Sequence, residues 1–364
     1  MSTFAPASTS PFTRAVVSSM RKLYPESLAE KSFDNTGRTL PGSQLPNEAL
    51  LTAYAVLLEA PFNPSQKQNN SVLLTIDLTK AVADEAIARK DSVVVAYHPI
   101  IFRGLKSLTL NDPQQQSLLR LAQEGISVYS PHTAVDATPG GMADWLCDIV
   151  TGSICPPSTA PLTTAPSIPK SSSIQKYSQP TYPQPGPIVT AAASAVVPHS
   201  RSTIHPSPQP VPEGMESAGM GRLVTFDTPQ SLTTVVDRIA AGVGYPAGIP
   251  IAMPQSCSSA DDMTIRTVGV CPGSGSSVLL RPPPGGQIPD LLFTGELSHH
   301  EALAAIERGS AVVALSHSNT ERGYLRAVMQ EKLTEALRQE WDEEFEVGVS
   351  QRDRDPYGIM IRQA

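Results

Sequence analysis

Two short motifs pair a histidine with a carboxylate four residues later. "HTAVD" holds His132 and Asp136, and "HSNTE" holds His317 and Glu321. Imidazoles and carboxylates are the ligands that Zn(II), Mn(II) and Fe(II) take in proteins, and a carboxylate can bridge two ions. The pair of motifs therefore predicts a metal centre. Either motif alone also fits an acid that merely complements a helix dipole.

Other histidines and acids stand where predicted strands end. The run "VVVAYHPIIFRG" is typical of a buried strand that ends at His98, and "LLFTGEL" carries Glu296 and is followed by His299 and His300. Ligands of open α/β sheets collect beyond the carboxyl ends of the strands. We therefore predict that His132, His299 and His300 orient ligands or carry protons near the metal. The competing interpretation of the last two is that they are ordinary surface residues of a helix's first turn.

The segments that carry these residues alternate between strand and helix patterns. Strands are predicted over 71–79, 92–99, 126–132, 264–273, 290–297 and 310–318, and helices over 80–90, 113–125, 140–150, 298–309 and 320–341. Ser298 and Glu301 have the spacing of a capping box at the start of one helix. The alternation predicts an α/β protein with two lobes of mixed sheets flanked by helices.

Residues 152–214 break this alternation. They hold about two-fifths of the 35 prolines and few large apolar side chains, so they cannot offset the entropy of ordering. We predict a first lobe over 1–151, a disordered Pro/Ser/Thr-rich insert over 152–214, and a second lobe over 215–364 that completes the metal site. His199 and His205 fall in the insert and are predicted to be solvated loop residues.

Charge and composition limit the partners and the compartment. A net charge of -7 and no run of basic residues oppose direct binding to nucleic acid, and no apolar run approaches the roughly 20 residues that span a bilayer. Four cysteines without C-x-x-C spacing, and no signal peptide ahead of them, favour the cytoplasm, with mitochondrion or nucleus as alternatives. Residues 1–25 have the composition of a mitochondrial transit peptide, but we favour the alternative that residues 11–30 form the first amphipathic helix of the fold.

Several motifs together resemble one known family. "FDNTG", "AYHPIIFRGLKSLT", "YSPHTAVDATPGGMADWL", "GMGRL", "VGVCPGSGSS", "TGELSHHEALAAIERG" and "SHSNTERGYL" occur in the order seen in the NGG-interacting-factor-three (Nif3-like) family, whose members are also called GTP cyclohydrolase 1 type 2 homologues. The resemblance covers nearly all of both halves and leaves out the proline-rich insert. It implies a Nif3-like fold with a dinuclear metal cleft between two lobes, and subunits assembled into a toroidal hexamer.

The resemblance also implies a ligand set. Carried over to the matching positions, it assigns two divalent ions (Zn, Fe, Mn or similar) to His98, Asp136, His317 and Glu321. Tyr97 stands where the family has the first histidine of a His-His pair, and the eukaryotic branch is similar in having tyrosine there. A neutral phenol, with a pKa of about 10, is a poor ligand, so this difference bears on the second metal site.

Two functions of different classes fit these residues. The first is a metal-dependent, cyclohydrolase-like hydrolase of a small, nucleotide-like substrate, in which the glycine-rich "CPGSGSS" either presents N–H groups to an anion or forms a plain turn. The second is a scaffold or regulatory protein that binds a transcription-related partner, with structural metals and a proline-rich insert suited to SH3 or WW domains. Cys271 is predicted to be a buried, unreactive thiol.

Overall fold

The computed structural model describes residues 9–32, 34, 56–61, 68–153, 176–178, 196–244, 246, 248–281 and 286–361. The strands in chain order are β1 (Val56–Leu58), β2 (Ser71–Thr75), β3 (Val93–Ala96), β4 (Ser127–Tyr129), β5 (Lys176–Ser178), β6 (His199–Pro206), β7 (Gly219–Ser231), β8 (Ile251–Ala252), β9 (Thr264–Ser274), β10 (Leu291–Glu296), β11 (Ala311–Ala314), β12 (Glu346–Val349) and β13 (Ile359–Ile361). The α-helices are α1 (Pro11–Leu23), α2 (Lys80–Arg89), α3 (Pro113–Gln123), α4 (Thr133–Ala137), α5 (Met142–Thr151), α6 (Leu232–Gly242), α7 (Ser276–Leu279), α8 (His299–Glu307), α9 (Arg322–Tyr324) and α10 (Gln330–Leu337). None of the helices in these ranges is long and apolar enough to cross a membrane.

The chain divides into two compact units. The first unit holds residues 1–138, 209–216 and 328–354, and the second unit holds residues 139–208, 217–327 and 355–364. This division differs from the contiguous lobes predicted over 1–151 and 215–364, because each unit draws on separate stretches of chain. The predicted α/β class with two mixed sheets flanked by helices is confirmed.

The first unit is built on a five-stranded sheet in the order β1-β4-β3-β2-β12. All its pairs are parallel except β1 with β4. β2 and β3 are buried along their whole length, which explains their unbroken Val and Leu runs, because parallel strands are covered on both faces. Leu73, Val94 and Val128 pack with residues of α2 and α3 in one core cluster.

Helix α1 is the amphipathic first helix that the sequence predicts. The Ser10 side chain accepts from the Thr13 N–H and caps its start, and Phe12 and Met20 are buried. The helix ends at Leu23 instead of continuing into residues 26–30, because Pro25 disfavours the helical conformation of the residue before it.

The second unit is built on a six-stranded sheet in the order β6-β7-β9-β10-β11-β8. β9, β10 and β11 run parallel, and β6, β7 and β8 add antiparallel pairs at the edges. Cys271, Leu292 and Val312 share a buried cluster on this sheet. The predicted capping box is confirmed at the start of α8, where both bonds between Ser298 and Glu301 are formed.

Strand β6 corrects the prediction of a disordered insert for residues 199–206. It pairs antiparallel with β7, from His199 opposite Phe226 to Pro206 opposite Gly219. The run "HSRSTIH" lies between two prolines and contains no proline itself. The strand was not predicted because the composition was judged over the whole proline-rich segment. Most of the predicted insert, residues 154–175 and 179–195, lies outside the described residues.

His199 and His205 are correspondingly strand residues and not solvated loop residues. His199 Nδ1 lies 2.7 Å from the Val197 carbonyl oxygen, and His205 Nε2 lies 3.0 Å from the Val278 carbonyl oxygen. Both rings therefore have backbone partners within the second unit.

The long helix predicted over 320–341 is not uniform. A 3₁₀ turn, His317–Thr320, leads into α9, and a π-helical segment, Leu325–Met329, separates α9 from α10. π-Helical turns are rare and occur often at functional sites. This π-helical segment begins four residues after Glu321, on the far side of α9.

Candidate metal centre

His98 is presented at the end of the first unit's β3. The N–H groups of Tyr97 and His98 donate to the carbonyl oxygens of Thr75 and Ile76, so the backbone stays aligned with β2 beyond the last residue of the strand. The His98 Nδ1 atom lies 2.9 Å from Asp77 Oδ1. A carboxylate at Nδ1 holds the proton on that nitrogen and leaves Nε2 with the lone pair that a metal takes.

Tyr97 and Asp136 form a buried pair in the first unit. The Tyr97 hydroxyl donates to Asp136 and lies 2.9 Å from each of its carboxylate oxygens. Both side chains are buried, and the Ser130 hydroxyl donates to the Tyr97 carbonyl at 2.8 Å. The phenol at this position thus orients a predicted ligand by hydrogen bonding.

His132 is held by an aspartate that sequence reasoning missed. Its Nδ1 lies 2.7 Å from Asp34 Oδ1, across a separation of 98 residues, and Asp34 Oδ2 also accepts from the backbone N–H and the hydroxyl of Thr133. The Asp34 carboxylate is fully buried. The signal that could have identified it is the acid of "FDNTG", one of the motifs that carry the family resemblance.

The backbone at His132 is strained, and the ring faces the other site residues of the first unit. Its φ of 36° and ψ of -124° are rare for any residue other than glycine. The imidazole lies with its centroid 5.4 Å from the Tyr97 ring and 5.6 Å from the His98 ring, both edge-on. The first unit therefore places His132 beside His98, as a proton carrier or orienting residue would require.

In the second unit the neighbouring ends of β10 and β11 bring Glu296 and His317 together. His317 Nδ1 lies 2.9 Å from Glu296 Oε1, and its Nε2 lies 3.6 Å from Glu321 Oε1. The Glu321 side chain is 1% exposed. The arrangement repeats that of His98, because in both residues a carboxylate holds Nδ1 at 2.9 Å.

Gly273 brings backbone against both ligand atoms of this motif. A Cβ added there would lie 2.8 Å from Glu321 Oε1 and 3.0 Å from His317 Nε2, and the φ of +58° also favours glycine. Its N–H donates to the Thr320 hydroxyl at 3.0 Å, and its carbonyl accepts from the Thr294 hydroxyl at 3.0 Å. This N–H of "CPGSGSS" thus supports the turn that carries His317 and is not presented to an anion.

A second network holds the same turn from the other side. The Ser318 hydroxyl donates to Asp355 Oδ2 at 2.7 Å, and Arg322 Nη2 donates to the Ser318 oxygen at 3.0 Å. All three residues are buried. Ser316, just before the turn, has a φ of 73°, so backbone strain precedes His317 as it coincides with His132.

The donor chemistry of these residues fits a transition-metal ion. Among the described residues, the side chains that could hold a metal ion are those of His98, His317 and Glu321. Each imidazole has a carboxylate on its other nitrogen, the arrangement that metal-bound histidines usually have. Asp136 lies outside this group, and its assignment as a ligand stays a prediction.

The comparisons with known proteins agree with the sequence resemblance. A sequence profile described as Duf34/NIF3 (NGG1p interacting factor 3) matches residues 13–356. The chain belongs to the Duf34/NIF3 family. It is 38% identical over 344 residues to the "Protein NIF3 homolog" of Schizosaccharomyces pombe, covering 94% of this chain and 95% of that one. It is 34% identical over 345 residues to "NGG1-interacting factor 3" of Saccharomyces cerevisiae, covering 94% and 96%.

A solved structure shares the Duf34/NIF3 fold. The Bacillus cereus protein related to NIF3 superposes with a TM-score of 0.61 at 17% identity, covering 94% of this chain and 98% of that one. At this identity the likeness concerns the fold alone.

His299 and His300 begin α8 of this Duf34/NIF3 protein. Both are exposed, and their rings meet edge-on with centroids 5.2 Å apart. Neither belongs to the candidate ligand group, and their catalytic role stays a prediction.

The described part of the second unit holds two buried cysteines, Cys147 and Cys271. Burial raises the pKa of the Cys147 thiol to about 12, and Cys271 is buried as the sequence predicts. The thiolate is the reactive form of cysteine. Cys147 is therefore unreactive at neutral pH.

Proposed function

We propose that this Duf34/NIF3 protein is a metal-dependent hydrolase of a small, nucleotide-like substrate. The observation that carries the proposal is the shared design of His98 and His317, which are each held through Nδ1 by a carboxylate and which belong, with Glu321, to the group of candidate metal ligands among the described residues. Ionisable groups at such a site cost stability, and such groups usually serve a chemical task.

Two divalent ions such as Zn, Fe or Mn would be held by His98, Asp136, His317 and Glu321. When bound, such ions lower the pKa of a water molecule and polarise the bond that it attacks. The carboxylates of Asp77 and Glu296 fix the two imidazoles, and the Tyr97 hydroxyl aligns Asp136.

The remaining histidines would handle protons and orientation. His132, held on Asp34 through Nδ1, keeps Nε2 for proton transfer to or from the substrate. His299 and His300, exposed on α8, would serve as outer proton carriers. A His132→Gln variant should then lose turnover while keeping its metal, and a variant with unchanged turnover would contradict this role.

Metal analysis of matched variants tests the metal centre. Plasma mass spectrometry of the wild type should find close to two transition-metal equivalents per chain, and a His317→Ala, Glu321→Ala double variant should carry almost none. His199→Ala, whose ring bonds only to backbone in the described part of the chain, is the control and should match the wild type. A wild type that cannot be loaded with metal contradicts the proposal.

Turnover is tested on the same proteins with a panel of nucleotides. Hydrolysis by the loaded wild type, absent in the double variant and retained in His199→Ala, is the expected result. A double variant that hydrolyses at the wild-type rate would assign the reaction elsewhere.

The same resemblance leads us to propose a homo-oligomer, a hexamer, and the cysteine pattern leads us to propose the cytoplasm. Light scattering on the full chain measures the mass against six times 38.7 kDa, and a monomer would contradict the proposal. Imaging of a tagged chain distinguishes the cytoplasm from the mitochondrion and nucleus.

A second candidate is a scaffold function. The family description and the yeast relative's name refer to interaction with another protein, and the proline-rich segment suits peptide-recognition domains. Deleting residues 154–195, which keeps β6, tests it. Loss of partner capture with metal and turnover intact favours the scaffold, and unchanged capture contradicts an interaction through this segment.

A further inference from the structure

The second unit carries an open groove next to the metal-binding turn. Its cavity volume is about 90 Å³, and its described lining residues are Val243, Pro246, Gly248, Pro250, Leu315, Ser316, Asn319, Tyr357, Gly358 and Ile359. At roughly 15 Å³ for each water molecule, this is room for about six waters. The volume suits one or two fused rings rather than a polymer.

The chemistry of the lining excludes a charged occupant. The described lining residues include no Asp, Glu, Lys, Arg or His, and an ion placed there would lose hydration without an oppositely charged partner. Most of the surface is aliphatic, with Tyr357 as its aromatic side chain. Tyr357 is 76% exposed and Ile359 is 40% exposed, so both offer apolar surface to a ligand.

The groove is continuous with the metal-binding motif. Ser316 and Asn319 line it and lie on either side of His317 in the same turn. The Asn319 side-chain amide donates to the Leu315 carbonyl at 2.8 Å, and its N–H donates to the Ser316 carbonyl at 3.2 Å. These bonds make the wall beside His317 a fixed surface.

We propose that the groove binds an uncharged planar ring of the substrate, of the nucleobase class, stacked on Tyr357. The ring would sit over the Tyr357 face, while the rest of the substrate passes Ser316 and reaches His317 and Glu321. Every base offers a π-face, so stacking on an aromatic side chain holds it without requiring a charge. This inference rests on the proposed function and names the part of the substrate that the site recognises.

Calorimetric titration of guanosine into the full-length, metal-loaded protein tests the groove. Ribose serves as the ring-free probe and should not bind. Tyr357→Ala should weaken guanosine binding roughly 5- to 150-fold, the range for losing one base–aromatic stack. Tyr357→Phe keeps the ring and should bind guanosine nearly as the wild type does.

Two further variants separate the groove from general damage. A Cβ on Gly248 would lie 3.8 Å from the Ile359 side chain, so Gly248→Leu should fill the groove and abolish binding. Leu110→Ala is the control. It removes an apolar side chain of the first unit whose exposure, 69%, is similar to the 76% of Tyr357, and it should leave the affinity for guanosine unchanged. Wild-type affinity in both Tyr357→Ala and Gly248→Leu, or no guanosine binding by the wild type, overturns the inference.

The failure of this inference is distinguishable from failure of the proposed function. Normal metal content and turnover without Tyr357-dependent binding would overturn the groove and leave the hydrolase in place. Tyr357-dependent guanosine binding in a chain that takes up no metal would support the groove and overturn the hydrolase.

Discussion

The two strand ends that present His98 and His317 use the same bond in different surroundings. Both imidazoles meet a carboxylate through Nδ1 at 2.9 Å. His98 and Asp77 are 21% and 34% exposed, whereas His317 and Glu296 are 40% and 53% exposed. Around His98 the further support comes from pairs of side chains, and around His317 the closely approaching backbone of Gly273 adds to a side-chain network.

The difference shows that one ligand type can be positioned in two ways. In the first unit, buried pairs such as Tyr97 with Asp136 and Asp34 with His132 set the orientation. In the second unit, Gly273 leaves no room for a side chain beside the ligand atoms. We therefore expect metal binding at the strand end of His98 to suffer most when a supporting polar side chain is replaced. At the strand end of His317 it should suffer most when the neighbouring glycine is replaced.

The largest effect is expected at Gly273. Gly273→Ala places a Cβ 2.8 Å from Glu321 Oε1 and should abolish metal binding, with a destabilisation above the ~1–2 kcal/mol of a left-handed residue. Gly309→Ala is the control, because its φ is +87° and nothing lies within 4 Å of the added Cβ. Metal analysis and urea unfolding are applied to both variants. Equal metal content in Gly273→Ala and Gly309→Ala would refute the idea that metal binding depends on the close approach of the Gly273 backbone to Glu321.

Removing either supporting carboxylate should weaken metal binding about 10- to 100-fold. Asp77→Asn is expected to have the larger effect and Glu296→Gln the smaller, because the Asp77 pair is less exposed to solvent. Competition with a chromophoric chelator measures the two affinities. A larger loss of metal affinity in Glu296→Gln than in Asp77→Asn would show that solvent exposure does not determine how much each carboxylate contributes.

Removing the Tyr97 hydroxyl should destabilise the first unit by about 1–3 kcal/mol, because the buried Asp136 carboxylate loses this donor. Urea unfolding of Tyr97→Phe measures the loss. Tyr97→His instead supplies an imidazole and should raise the metal content per chain. Unchanged metal content in Tyr97→His would mean that Tyr97 does not limit metal binding.

The smallest effect concerns the helix that follows β10. The Ser298 backbone N–H donates to Glu301 and lowers the pKa of its carboxyl. A lowered folded-state pKa contributes stability above the unfolded value of about 4.3, and the contribution is lost as the pH falls through the folded pKa. Glu301→Gln should therefore cost under about 1 kcal/mol at pH 7, and the cost should shrink as the pH falls through the folded pKa. A cost that persists at acid pH would exclude this cause.

Local patterns predicted much of the fold, because each depends on neighbouring residues. The buried run 93–96, the capping box at Ser298 and the helix start at Pro113 were all predicted from spacing and turn chemistry. β6 escaped prediction because a short proline-free run was averaged with the proline-rich segment around it. β12 escaped because its pairing with β2 joins residues far apart in the chain.

The sequence by itself determined which residue types stand at the strand ends, and hence the candidate ligands His98, His317 and Glu321. Only the tertiary structure decided what holds them: Asp77 and Glu296 on the imidazoles, Asp34 on His132, and Gly273 against Glu321. The reason is physical. Strand and helix periodicity is a property of neighbouring residues, whereas a hydrogen bond across 98 residues exists only after the sheet has packed and brought its partners together.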